Sequence, residues 1–217
     1  MRYAVPRNKH PEETVQRILD ASLKLFLEKG YEETTVLDII SELGGLTRGA
    51  FYHHFKSKEE VFDVLSEKLF YDDNPFAKAK ARRDLNGLEK LKFVLKDSFR
   101  ETDSRKLSIA SIQLVESPSF LKKLIETNRD TLAPMFEELI EEGIKDGSVT
   151  AKHAKPLSQL AVMLTNFWMV PSVFPCETEE ELWERLSMIK EITDKIGMPV
   201  IDEEILSMCR ENTINID

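Results

Sequence analysis

Only two cysteines occur in the chain, Cys176 and Cys209, far apart and outside any CxxC spacing. That excludes a disulfide framework and a zinc ribbon and leaves reduced, structural thiols as the expectation. Long apolar runs are missing as well. The most apolar window, "LAVMLTNFWMVPSVF" from Leu160 to Phe174, is too short for a bilayer and contains Asn166 and Pro171, so it reads as a buried helix and no membrane partner is implied. The opening "MRYAVPRNKHPEE" is polar and holds prolines, without the apolar stretch of a secretory signal, which points to a cytoplasmic protein. There is no HExxH, no Glu-x-x-His pair, no GxGxxG and no GxxxxGK followed by Ser or Thr. Enzymatic motifs are therefore absent, no metal or other cofactor is implied, and a small helical enzyme is the weakest of the available readings. Positive charge is scarce too. The net charge is −9, but residues 1–60 carry nine Lys/Arg against ten Asp/Glu while the remainder carries 21 against 29. A basic binding face has to be a local patch in the first quarter, drawn from Arg2, Arg7, Lys9, Arg48, Lys56 and Lys58.

What is present is helical periodicity. From Pro11 to Lys29, Val15, Ile18, Leu19, Leu25 and Phe26 fall on one stripe, with Glu12 and Glu13 in the first turn and Gly30 as the stop. In "TTVLDIISEL", Thr35 or Thr34 is the candidate cap and Asp38, three residues after Thr35, completes a capping box. Gly44 and Gly45 supply a tight turn, Thr47 is positioned to cap "LTRGAFYHHF", and Ser57 to cap "KEEVFDVLSEKLF". Two short helices across a glycine turn, braced by a longer helix before and another after, form the pattern of a helix-turn-helix module. The charged stretch "YDDNPFAKAKARRDLNG" reads as a connection, so the expected domains are residues 1–71 and 72–217. Beyond it only helical patterns follow: Leu88–Thr102, Ser104–Glu116, Ser119–Asp146 with Pro134 kinking or dividing it, Lys155–Val170, Thr178–Ile196 and Asp202–Glu211.

His53 and His54 are the only close histidine pair. Neighbours on a helix point about 100° apart, so a shared metal ion is disfavoured against a structural or nucleic-acid role. In a helix-turn-helix the second short helix enters the major groove, while hydroxyls, amides and lysines at helix ends hold phosphates. "LTRGAFYHHFKSK" supplies that inventory: Thr47 and Arg48 at the helix start, Gly49 and Ala50 keeping the surface low, Tyr52 and His53 as donors, Phe51 and Phe55 facing inward, and Lys58 opening the next helix.

At these residues the chain resembles the TetR family of bacterial transcriptional repressors. The resemblance runs over residues 12–70, through "LFLEKGYEETTV", then "DII" where the family usually has Asp-Ile-Ala, then "FYHHFKSKEEVF". It implies that Thr35, Tyr52 and Lys58 contact phosphates and that Thr47, Arg48, Gly49 and His53 face the groove of an operator in double-stranded DNA. Two departures are visible, Ile40 in place of the usual alanine and "GGLT" in place of Ala-Gly-Val-Ser. The implied fold class is all-α: a three-helix DNA-binding domain joined by a linking helix to a helical effector-binding and dimerisation domain.

The second half is less specific. The helix from Leu160 to Val170, including Leu164, is apolar on nearly every side, and Leu182, Leu186, Ile189, Thr193 and Ile196 repeat at spacings of four and three. Both suit a homodimer seam. An effector pocket is placed among Phe93, Phe99, Ile112, Gln113, Met135, Phe136, Met163, Asn166, Phe167 and Trp168, with Asn128 and Thr165 as further polar groups, although such a stripe is also ordinary core. The function expected is a homodimeric transcriptional regulator, a repressor released by an unidentified small-molecule effector. The alternative is a partner-binding coactivator on the same scaffold.

Overall fold

The computed structural model describes residues 11–110, 117–170 and 173–211. Among them are twelve α-helices and two π-turns. The described residues divide into two compact units, one of residues 11–73 with 102–110 and the other of residues 74–101 with 117–211.

The first unit is built on α1 (Pro11–Lys29), α2 (Val36–Glu42), α3 (Arg48–His54) and α4 (Lys58–Asp72). Ile18, Leu19, Ala21, Ser22, Leu25 and Phe26 form the buried stripe of α1, which packs on α2 and α4, and Ile39, Phe51, Phe55, Val61, Phe62 and Leu65 are buried in the same unit. Burying each of the larger side chains contributes about 1.5–3 kcal/mol, enough in sum to hold short helices that would not persist alone. Capping is local and complete. The Thr35 hydroxyl accepts from the Asp38 N–H while the Asp38 carboxylate takes the Thr35 N–H, the Thr47 hydroxyl accepts from the Ala50 N–H, and the Ser57 hydroxyl accepts from the Glu60 N–H. Gly44 and Gly45 make the turn between α2 and α3 with φ of +50° and +102°, a region L side chains avoid. The chain then leaves the unit and returns in α7 (Asp103–Ala110), which packs on α1 and α4 through the buried Leu107.

The second unit starts with α5 (Pro75–Ala81), in the stretch expected to be a connection with a partly helical "KAKARR"; the Asn74 side chain caps it and Pro75 occupies a first-turn position that needs no N–H donor. Next come α6 (Gly87–Asp97), α8 (Pro118–Thr127), a π-turn at Asn128–Leu132, α9 (Ala133–Asp146), α10 (Ala154–Met163), a second π-turn at Leu164–Trp168, α11 (Glu179–Lys195) and α12 (Glu203–Glu211). Pro134 sits in the first turn of α9, directly after the first π-turn. A proline there has no N–H to give and clashes with the preceding turn, and the wider π-turn absorbs both. No helix of the described residues is long and apolar enough to cross a membrane.

Candidate nucleic-acid interface and effector unit

Helix α3 is anchored from one side and open on the other. Phe51 and Phe55, 0% and 4% exposed, fix its inward face, while Arg48, Gly49, Tyr52 and His53 are exposed. Arg48 has no hydrogen-bond or ion-pair partner among the described residues, so its guanidinium is uncommitted. At Gly49 an added Cβ would meet only the Thr47 Oγ1 at 3.9 Å. Packing within the described residues does not require glycine there, and alanine would favour the helix by about 1 kcal/mol. The Thr47 hydroxyl accepts from the helix but keeps its own proton to donate. The His53 ring stands edge-on to His54 at 5.2 Å.

Two expected phosphate contacts have internal partners. Thr35 gives both its N–H and its hydroxyl proton to Asp38 Oδ2, at 2.8 and 2.7 Å, and Lys29 lies 3.0 Å from the same oxygen. In this arrangement Thr35 has no donor left for a phosphate; its job is to position α2. Lys58 donates to the Tyr31 carbonyl at 2.6 Å and the Glu32 carbonyl at 3.3 Å, with its ammonium 4.0 Å from the centre of the Tyr31 ring. That leaves one N–H for an outside group, and makes Lys58 a brace between α4 and the segment after α1. Burial, then the nearby Glu59, holds the Tyr31 hydroxyl protonated well above its ordinary range. Arg17 was not singled out by the sequence, yet its guanidinium donates to the Leu43 carbonyl at 3.0 Å and closes the C-terminal end of α2. No local signal marks that contact, because 26 residues separate the partners.

The Asp38 carboxylate is held down at about 2 by the Thr35 hydroxyl first, then the Thr35 N–H and Lys29. A depressed acid stabilises the fold above its ordinary pKa near 3.8 and loses that contribution as pH falls toward the folded value. Thr35→Ala is therefore expected to raise the Asp38 titration midpoint toward 3.8, followed by carboxyl NMR, and to remove the acid-labile part of α2 stability between the two values. An unchanged midpoint would show that the capping box is not what lowers it.

In the second unit the expected seam divides. Leu186 and Ile189 are 8% and 4% exposed within one chain, so they belong to its own core, whereas Leu160 and Ile196 are 41% and 37% exposed and Leu164 and Leu182 half-buried. Spacing put Leu182, Leu186, Ile189 and Ile196 on one stripe, and all-round apolarity added Leu160 and Leu164; burial shows that Leu186 and Ile189 already have cover within their own chain. Met163 and Met188 join the exposed set. Of the expected pocket residues, Phe136 packs edge-on against Phe76 with ring centres 4.8 Å apart, Phe93 lies 5.9 Å from the Arg82 guanidinium, and Phe99, Met135, Phe167 and Trp168 are half-buried. Met163 is exposed, and Ile112 and Gln113 lie outside the described residues. A concavity of about 360 Å³ is lined by Trp168, Glu181, Glu184, Arg185 and Met188, sharing only Trp168 with that set. Arg185 in its lining donates to the carbonyls of Phe174 and Pro175 at 2.8 and 2.7 Å.

The family described as bacterial regulatory proteins, tetR family, matches residues 18–65, the span from α1 to α4. The chain is 31% identical to the HTH-type transcriptional repressor KstR2 of Mycolicibacterium smegmatis over 146 residues, covering 64% of this chain and 68% of that protein. In structure it is similar to a TetR-family transcriptional regulator from Pectobacterium atrosepticum, with a TM-score of 0.63 at 19% identity over 88% of this chain and 97% of the other. It is also similar to a transcriptional regulator from Saccharomonospora viridis in complex with choline, with a TM-score of 0.59 at 16% identity over 84% and 96%.

Proposed function

This chain belongs to the TetR family of bacterial regulatory proteins, and we propose that it is a cytoplasmic, homodimeric repressor that reads an operator through α3 and is released by a small molecule held in the second unit. It is a transcriptional regulator and not an enzyme. The observation that carries the operator reading is the uncommitted Arg48 beside the bare backbone of Gly49, on a helix whose other face is locked by Phe51 and Phe55. Arg48, Gly49 and His53 face base edges, with Thr47 at the start of the helix. Tyr52 and the remaining N–H of Lys58 reach phosphates. One fold relative is a regulator seen with choline, which supports a small-molecule site on this scaffold. An effector acts only through its different affinities for the DNA-bound and released forms, so operator DNA must weaken effector binding by the same factor. The test is a pair of binding isotherms at physiological salt, on operator and on scrambled duplex. Specific recognition gives a ratio of about 10³ or more; equal affinities would favour the coactivator reading.

Lys58→Ala is expected to weaken operator and scrambled DNA about equally. It should flatten the slope of log affinity against log salt by roughly 0.9 per lost phosphate contact, or about 1.8 for a dimer. An unchanged slope with a lowered melting temperature would make Lys58 a brace alone.

The dimer proposal rests on apolar groups that one chain leaves open: Leu160 and Met163 of α10, Met188 of α11 and Ile196 at its end. Leu160→Lys is expected to yield folded monomer, and Leu186→Lys to unfold the second unit, because Leu186 is buried within its own chain. Sedimentation and circular dichroism separate the two outcomes. Wild-type protein sedimenting as a monomer at micromolar concentration would contradict the dimer.

A further inference from the structure

Each of the two π-turns in the second unit carries an asparagine, and the two side chains are joined. Asn128 is 3% exposed; its Nδ2 donates to the Leu124 carbonyl at 2.8 Å, and its Oδ1 accepts from Asn166 Nδ2 at 2.6 Å. Asn166 is only half-buried, and its Oδ1 and second N–H have no partner among the described residues. One amide is thus held by a buried neighbour, while its Oδ1 and second N–H keep the capacity to accept and to donate one hydrogen bond each. Leu164, Phe167 and Trp168 on the same turn, and Leu132 on the other, are half-buried apolar groups.

Simple packing does not call for this arrangement. A buried amide is costly unless hydrogen-bonded, and a leucine pair would fill the space without that demand. A π-turn interrupts the regular α-helical ladder, and such turns recur at functional sites. Pro134 comes two residues after the first π-turn and Pro171 three residues after the second in the sequence, but neither proline calls for the bond between the two amides. No charged side chain hydrogen-bonds to either asparagine among the described residues.

We infer that the Asn128–Asn166 pair is the polar end of the effector site, and that it selects a neutral head group with an acceptor and a donor, such as a carboxamide, on an apolar body. The inference rests on the reading that the second unit binds an effector. Such a head group offers a donor to the Asn166 Oδ1 and an acceptor to its second N–H. An anion or a cation would enter the same half-buried place without a counter-charge, which is unfavourable. The bond to Asn128 then links occupancy on the second π-turn to the turn that leads into α9.

The test uses the full chain, with isotope-labelled asparagine side chains followed by NMR, and three probes sharing one body: cyclohexanecarboxamide, cyclohexanecarboxylate and cyclohexylammonium. The carboxamide is expected to shift the Asn128 and Asn166 side-chain signals saturably and to bind about tenfold tighter than either charged probe. Asn166→Ala should weaken it by about tenfold, the size of a lost hydrogen bond. Asn166→Ser retains a short polar group and serves if the alanine variant does not fold. Equal binding to wild type and variant, equal binding of a charged probe, or no saturable shift overturns the site. Operator affinity separates the two claims. A probe that binds at the pair without changing operator affinity overturns the effector reading and leaves the site standing, and a probe that lowers operator affinity equally in wild type and variant does the reverse.

Discussion

Replacing Arg48 by alanine is expected to cost about 1 to 3 kcal/mol of operator binding at each half-site, while binding to scrambled DNA falls far less. The guanidinium sits at the first position of α3, exposed and without a partner among the described residues, so its removal is expected to leave the fold untouched. A bidentate bond to a guanine edge is the contact an uncommitted arginine at a reading-helix start is suited to make. Discrimination should relax at one base-pair position in each half-site, which a set of duplexes with single substitutions will reveal. Equal losses on operator and scrambled DNA would instead place Arg48 on a phosphate.

Gly87→Ala is expected to cost much stability although it adds only one methyl group. Alanine normally favours a helix over glycine by about 1 kcal/mol. Here the sign reverses, since a Cβ on Gly87 would overlap the backbone nitrogen and Cα of Gly143, and backbone cannot step aside as a side-chain end can. The crossing of α6 and α9 at this point is tied by the Gly87 N–H donating to Asp146 at 2.7 Å and the Leu88 N–H donating to the Ser148 hydroxyl at 3.1 Å. The Lys90–Glu142 ion pair lies one turn further along α6, with Lys90 itself buried. Prising the helices apart exposes Leu91, Val94, Leu139 and Ile140, all buried residues of α6 and α9. The expected loss is about 3 kcal/mol, the upper end for overpacking, and a fall in melting temperature of roughly 10 °C. The first unit should keep its own transition. A variant melting with the wild type would mean that the crossing opens at little cost.

Local chemistry was the legible part of the sequence. The Thr35–Asp38 capping box, the caps at Thr47 and Ser57 and the stop at Gly30 depend on residues within a few positions of one another, and the structure carries each. Period was legible without its partner. Leu186 and Ile189 share a face with the rest of their seam, but spacing cannot say whether their own chain or another covers it, and their own chain does. The consequence of Pro134 was half legible: the break could be read, whereas its form, a π-turn that carries Asn128 into a bond with Asn166, depends on a residue 38 positions away. Long-range ties of this kind had no trace in the pattern. The return of α7 to α1 and α4, and the grip of Lys58 on Tyr31 and Glu32, exist only once the chain is folded.

The central claim, that α3 reads an operator, is tested most directly by exposing the purified protein to fragmented genomic DNA and sequencing what it retains at physiological salt. The account predicts a small set of fragments sharing a near-palindromic site, its half-sites about one helical turn or a multiple apart as a two-fold dimer requires, and loss of that enrichment with Arg48→Ala. Retention of no fragment above background, or of all fragments alike with a strong dependence on salt, would contradict it.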